Sequence, residues 1–284
     1  MTMTTPATTA AALASGKGHR DENFPVASWI LKPRHRAPVM AFYHFARAAD
    51  DVADNASTSA AERLAVLAQM RATLGGASDA STEARSLRAV LASHALSTEH
   101  GLDLLTAFER DCTVNRYESW DDLIDYCRFS AMPVGRYVLD VHGEDRATWR
   151  ANDALCAALQ IINHVQDCGK DYRAIGRVYI PRQMLAAAGV AVEELGADRS
   201  GPALRSVITA MAARTQTLLD DAAGFATQIH DQRLAAEVAI IHRLAHNLNQ
   251  RLMQRDPLCE RVHHRPIEAA AIAAMALLGR VFGR

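Results

Sequence analysis

The chain has 284 residues, with 31 Lys plus Arg against 32 Asp plus Glu and a net charge of −1. So even a balance gives no global field to draw nucleic acid or an anionic membrane, and any anion site must be local. Five cysteines (Cys112, Cys127, Cys156, Cys168, Cys259), odd in number and without a Cys-x-x-Cys pair, argue against a disulfide framework or a zinc site and favour a reducing cytoplasm.

Residues 1–20 are rich in Thr, Ala, Ser and Gly, with neither an early basic region nor a sustained apolar core. They read as a disordered tail rather than a signal peptide. Residues 21–284 read as one all-α domain, since alanine, leucine, arginine and methionine dominate and β-branched alternation is nearly absent. A domain of this size buries roughly 75% of its unfolded surface and has room for a central cavity. Breaks are expected at Gly75-Gly76, near Gly101, at Met132-Pro133, at Gly143, across Arg173 to Pro181, from Gly196 to Pro202 and at Asp256-Pro257. None is long enough to be a domain linker.

The first long helix starts around Pro33 and Pro38 and runs through an apolar stripe of Val39, Phe42, Phe45, Ala49 and Val52. Its polar line is Tyr43, Arg47, Asp50, Asp51 and Asp54. Acids four residues apart are rotated by only about 40°, so their carboxylates share a face. Arg47 precedes them by one turn, where it can pair with the acids or bind phosphate oxygens.

Tyr117, Trp120 and Tyr126 follow at helical spacing with Leu123, a stripe that suits plain core as well as a ligand pocket. Ser130-Ala131-Met132-Pro133-Val134-Gly135 then forces a kink, and its small residues Ser130, Ala131 and Gly135 leave room for a tunnel wall.

In the next motif Gln160, Asn163, Gln166, Asp167, Lys170 and Asp171 fall on one side of a helix, with Leu159, Ile162 and Val165 on another. Asn163, Asp167 and Asp171 make a second ladder of oxygen ligands. Each ladder alone also resembles a solvated helix face. Two in one helical chain point to a shared Mg²⁺ site on Asp50, Asp51, Asp54, Asn163, Asp167 and Asp171, and so to a substrate carrying a diphosphate. The segment Arg173 to Pro181, with Arg177, reads as a basic flap over that diphosphate or as an ordinary interhelical loop.

His263-His264 reads as a surface pair. No P-loop, Gly-x-Gly-x-x-Gly or Gly-x-Ser-x-Gly occurs, which removes support for kinases, Rossmann enzymes and elbow hydrolases. No uncharged apolar run reaches the 18 or more residues of a membrane span. The nearest, residues 269–279, is expected to be a core-facing last helix, with contact to a bilayer surface left open.

Taken together and in order, these motifs resemble the squalene/phytoene synthase family over roughly residues 21–262. They are Tyr-x-x-x-Arg-x-x-Asp-Asp-x-x-Asp at Tyr43 to Asp54, Tyr126-Cys127, Val134-Gly135, Gln-x-x-Asn-x-x-x-Asp-x-x-x-Asp at Gln160 to Asp171, Arg177-x-Tyr179 and Glu260-Arg261-Val262. The narrower resemblance is to the bacterial, hydroxysqualene-forming branch of the hopanoid pathway. It rests on Glu22 to Ala27, Ser130 to Gly135 and Asn163 to Cys168, with Gln166 standing where the wider family has arginine.

The resemblance implies an isoprenoid synthase fold and Mg²⁺-dependent conversion of presqualene diphosphate and water to hydroxysqualene and diphosphate. Tyr43, Arg47, Asp50, Asp54, Asn163, Asp167 and Asp171 would be catalytic. Asn23, Arg47, Lys170, Arg177 and Arg261 would hold the diphosphate. Phe24, Val26, Tyr43, Tyr126, Ser130, Ala131, Gly135, Gln160 and Gln166 would line the chain site. The expected partners are the prenyl diphosphate itself and hand-over to a presqualene diphosphate synthase and a downstream reductase, without nucleic acid. The expected place is the cytoplasm, with contact at the inner membrane left open. The rivals are a condensing enzyme that makes squalene or phytoene from two prenyl diphosphates, and a non-catalytic helical binding protein of the same fold.

Overall fold

The computed structural model describes residues 9–13 and 31–282, and the description of side chains stops at residue 278. Among the described residues every long element is an α-helix; the β contribution is a single bridge, Arg116 to Val178. The helices fall into two compact units.

The first unit holds α1 (Pro33–Ala53), α2 (Ala60–Leu74), α3 (Thr82–Ser93) and α4 (Glu99–Asp111). The stripe expected for α1 is its core face: Val39, Phe42, Phe45, Ala49 and Val52 are all buried. Each such large side chain contributes about 1.5–3 kcal/mol on leaving water. α1 packs on α2, α3 and α4, which supply Leu67, Met70, Leu87, Leu104 and Leu105. Arg71 of α2 grips Glu109 of α4 with two bonds of 2.9 Å.

Gly101 was expected at a break, yet it lies inside α4. A Cβ there would come within 2.7 Å of Leu74 Cδ2, so the glycine serves close helix packing. Within the stretch expected to be disordered, Ala10–Leu13 form a short 3₁₀ turn against α1, with Ala10 buried.

The second unit holds α5 (Trp120–Ser130), α6 (Met132–His142), α7 (Trp149–Gln166), α8 (Cys168–Ile175), α9 (Arg182–Ala187), α10 (Pro202–Asp221), α11 (Phe225–Gln228), α12 (Gln232–Gln254) and α13 (Pro266–Phe282). α7 is its central element and packs against α5, α6, α10 and α12. The expected Met-Pro kink is a full break. α5 ends at Ser130, Ala131 leaves helical geometry at φ −126°, and Pro133 sits in the first turn of α6, where its missing N–H costs nothing.

Gly135 does not open a tunnel wall. Its missing Cβ would lie 1.9 Å from Asn152 Oδ1 and 2.7 Å from Cys156 Sγ, so α7 fills the space it frees.

Two further expectations change. The second acid ladder does not ride one helix, because α7 ends at Gln166 and α8 begins at Cys168. The last helix is not core-facing: Ile267, Met275, Leu277 and Leu278 are exposed, while Ile272 is buried. No helix among the described residues is long and apolar enough to cross a membrane.

Candidate active site

In the first unit the site is built at the C-terminal end of α1. Asp54 lies one residue past the helix, but its N–H donates to the Asp50 carbonyl at 2.9 Å. The turn therefore continues, and Asp54 stays on the Asp50 face.

Arg47 forms ion pairs with Asp50 (Nη1, 2.9 Å) and Asp51 (Nη2, 2.6 Å). Asp51 is buried, so of the three acids it is the one turned inward and held by the guanidinium. Arg47, expected to bind diphosphate, thus spends two donors on acids of its own helix.

Asp50 keeps 33% of its side-chain surface open. Burial, followed by the charge of Asp54, pushes its acid up to about 7, with Arg47 opposing and Asp111 and Asp51 adding to the rise. Asp111, at the end of α4, carries no motif spacing, and sequence reasoning missed it. The result is a crowd of carboxylates with the Arg47 guanidinium beside it, a donor set of the kind that attracts a divalent cation. Among the described residues no three His, Cys, Asp or Glu side chains gather closely enough to hold a metal ion on their own. Carboxylate and amide oxygens of this kind suit a hard divalent cation that completes its shell with water and phosphate oxygens.

In the second unit the ladder survives the helix break. Asp167 N–H donates to the Asn163 carbonyl at 3.0 Å, and Asp171 N–H to the Asp167 carbonyl at 2.8 Å. Asn163, Asp167 and Asp171 are each partly exposed. Lys170 Nζ lies 3.6 Å from Asp167, and His263 Nε2 lies 3.9 Å from it on the other side. His263, expected to be half of a surface pair, is thus placed beside a ladder acid.

Arg177 is buried, with Nη1 donating to Tyr179 Oη at 3.3 Å, so it is not on an exposed flap. Its segment is pinned by the Val178 N–H to the Asn115 carbonyl at 3.0 Å. Arg261 is exposed, and its guanidinium caps the carbonyls of His263 (3.3 Å) and His264 (3.2 Å).

Tyr126 is buried in an aromatic group with Tyr117 (5.1 Å between centroids) and Tyr179 (5.7 Å). His164 stacks on Tyr179 at 3.3 Å and bonds Gln160 at 3.0 Å. Burial, then the Arg177 charge, pushes His164 down to about 3, so it is neutral near pH 7. His164 and Tyr179 were not expected as site residues, although Gln160 and His164 are one helical turn apart.

Gln166 is only 5% exposed, and neither its Nε2 nor its Oε1 has a partner among the described residues. Ser130 Oγ is likewise buried without a partner. Tyr43 is partly exposed on α1, and Ala131 is buried at the α5–α6 break. Asn23, Phe24 and Val26 lie outside the described residues.

The family model for squalene/phytoene synthase matches residues 18–268. The chain is 54% identical over 275 residues to the hydroxysqualene synthase of Zymomonas mobilis, covering 96% of this chain and 93% of the relative. It is 52% identical over 281 residues to the hydroxysqualene synthase of Rhodopseudomonas palustris, covering 98% and 96%. Among solved structures it resembles the squalene synthase HpnC from Alicyclobacillus acidocaldarius, with TM-score 0.68, 30% identity and coverage of 89% of this chain and 88% of that one.

Proposed function

The chain belongs to the squalene/phytoene synthase family, and we propose that it converts presqualene diphosphate and water into hydroxysqualene and diphosphate, with Mg²⁺ as the metal. The observation that carries the reading is the crowd of acids around Asp50, whose charge a bound divalent cation would favour. Its relatives from Zymomonas mobilis and Rhodopseudomonas palustris support the choice of product.

In this reading Asp50 and Asp54 of the first unit, and Asn163, Asp167 and Asp171 of the second, would be the residues that hold Mg²⁺ through carboxylate and amide oxygens. When bound, the metal offsets the negative charge that grows on the departing diphosphate. Arg47 fixes Asp50 and Asp51 in place. Lys170, 3.6 Å from Asp167, and the buried Arg177 would add positive charge toward the diphosphate, with Asn23 and Arg261 as further ligands.

The C–O bond to diphosphate breaks, its electron pair leaves with the diphosphate, and a carbocation remains on the chain. Tyr43 and Tyr126 offer aromatic faces to that cation, and the hydrocarbon lies along Phe24, Val26, Ser130 and Ala131. Water then supplies the new C–O bond, and its spare proton passes to the released diphosphate. A single water needs a fixed polar partner in an apolar surround, and the amide of Gln166, without a partner among the described residues, suits that role.

The enzyme acts in the cytoplasm, receiving substrate from a presqualene diphosphate synthase and passing product to a reductase. Purified protein with Mg²⁺ is offered presqualene, farnesyl and geranylgeranyl diphosphates separately, and the products are read by mass. Hydroxysqualene from the first alone is expected; squalene or phytoene from the simple diphosphates would overturn the proposal.

A further inference from the structure

α8 is only 8 residues long, too short to be stable by itself in water, and it does not inherit its direction from α7. Asp167, at the junction of the two, leaves helical geometry with φ −101° and ψ 10°. The places of Asp167 and Asp171 therefore depend on what α8 packs against. A Cβ on Gly169 would come within 2.5 Å of Leu258 Cδ2 and 3.2 Å of the Leu195 carbonyl oxygen. A Cβ on Gly196 would meet the Tyr172 ring at 3.1 Å. Through Gly169 and Tyr172, α8 is thus seated on two supports: the 3₁₀ turn Val192–Gly196 and the loop that follows α12.

One carboxylate ties those supports together. Asp256, in the loop after α12, is only 7% exposed. It accepts the Ser200 backbone N–H on Oδ2 (2.8 Å) and the Ser200 hydroxyl on Oδ1 (2.7 Å), just past the 3₁₀ turn. Oδ1 also accepts the Leu258 backbone N–H at 3.1 Å, and Oδ2 the Cys259 thiol at 3.3 Å. Burial opposes its charge, but the bonds from Ser200, Leu258 and Cys259 outweigh burial and hold the carboxyl below its usual value. Farther along the same loop His263 stands 3.9 Å from Asp167, and Arg251 holds the His263 carbonyl at 3.3 Å. The loop thus meets α8 at Gly169 and the ladder at Asp167.

We propose that Asp256 is a positioning residue for the second acid ladder: by locking the Ser200 and Leu258 segments together it fixes the seat of α8, and with it Asp167 and Asp171. Its action is indirect, through Leu258 against Gly169 and through the turn beneath Tyr172. The use made of those two acids rests on the proposed function; the seat of α8 does not.

The test uses the full chain as Asp256→Ala, Asp256→Asn and Ser200→Ala. Without metal or substrate, hydrogen exchange read by mass spectrometry should quicken by about tenfold or more at the amides of Cys168–Ile175 in Asp256→Ala, and less in Ser200→Ala, with the amides of α6 unchanged. With presqualene diphosphate, the Mg²⁺ concentration for half-maximal rate should rise about tenfold, and kcat should change more than KM. Asp256→Asn keeps the shape and one acceptor oxygen, and should recover part of both losses. If Asp256→Ala does not fold, Ser200→Ala and Asp256→Asn carry the same comparison. Exchange that quickens equally in α6, or not at all in α8, overturns the proposal, as does a loosened α8 with an unaltered Mg²⁺ requirement. Selective loosening of α8 in a protein whose wild type never turns over presqualene diphosphate would sink the proposed function and leave the seating of α8 by Asp256 standing.

Discussion

At Asp50 burial and crowding by neighbouring acids disfavour the charged carboxylate despite the Arg47 ion pair. Its acid sits at about 7 in the fold against 3.8 unperturbed, because burial and then Asp54 disfavour its charge. The folded state therefore holds this proton more tightly than the unfolded chain does. The sign follows: the associated stability is complete below pH ~4 and is lost as pH rises through ~7. In EDTA, wild type should melt progressively lower from pH 5 to pH 8. Asp50→Asn should flatten that trend, while turnover falls by about 10²-fold or more. A wild-type melting curve indifferent to pH would show that the crowd is already neutralised. Gln166 makes a second residue-scale prediction. Its amide bonds to no other described group, so Gln166→Leu should leave stability within about 1 kcal/mol. The product, read by mass, should shift away from the alcohol if the amide positions water. Gln166→Arg should raise affinity for farnesyl diphosphate, and an unaltered binding isotherm would count against the reading of that position.

Elements meet through a few buried polar grips as well as through apolar faces. Glu144, after α6, accepts from the backbone N–H groups of His230 and Asp231 at 2.8 Å each and so anchors the start of α12. Burial raises its acid, but the bonds from Asp231 and His230 outweigh it and hold the carboxyl below its usual value. That stability is present above pH ~4.5 and is lost as pH falls. Glu144→Ala should cost about 2–3 kcal/mol in denaturant titration, and the loss should shrink toward acid pH. Gly135→Ala tests the α6–α7 approach, since the new methyl meets Asn152 and Cys156. A loss of about 1–3 kcal/mol is expected, and a neutral result would mean that the helices can separate freely. The stripe of α1 was readable because helical rotation alone determines which residues share a face. The break at Asp167 was not: Asn163, Asp167 and Asp171 keep their spacing whether one helix carries them or two.

For the whole molecule, no disulfide contributes, since all five cysteines are free. Burial pushes Cys127, Cys156 and Cys168 up to about 12, and Cys112 is buried; Cys259, also held above its usual value by burial and by Asp256, is the exposed one. A thiol reagent should therefore titrate one cysteine quickly in the native protein and all five after denaturation. Reductant should leave the melting temperature unchanged. More than one fast thiol would indicate that the helical packing opens readily.

Helix periodicity, acid spacing and motif order by themselves determined the all-α class, the family and the two acid ladders, because each is a local or linear pattern that the order of residues along the chain already carries. Tertiary structure alone decided which acids stand in the crowd and which are spent. Asp111 reaches Asp50 from α4, 61 positions later in the chain. Asp51 turns inward to Arg47, His263 arrives beside Asp167, and Tyr179 stacks on His164. Most of these pairings join residues far apart in sequence, and the local pattern of neither partner encodes them. The apolar face of α13 follows the same reasoning: its composition was legible from the start, but only packing on α12 decided that the hydrocarbon points outward.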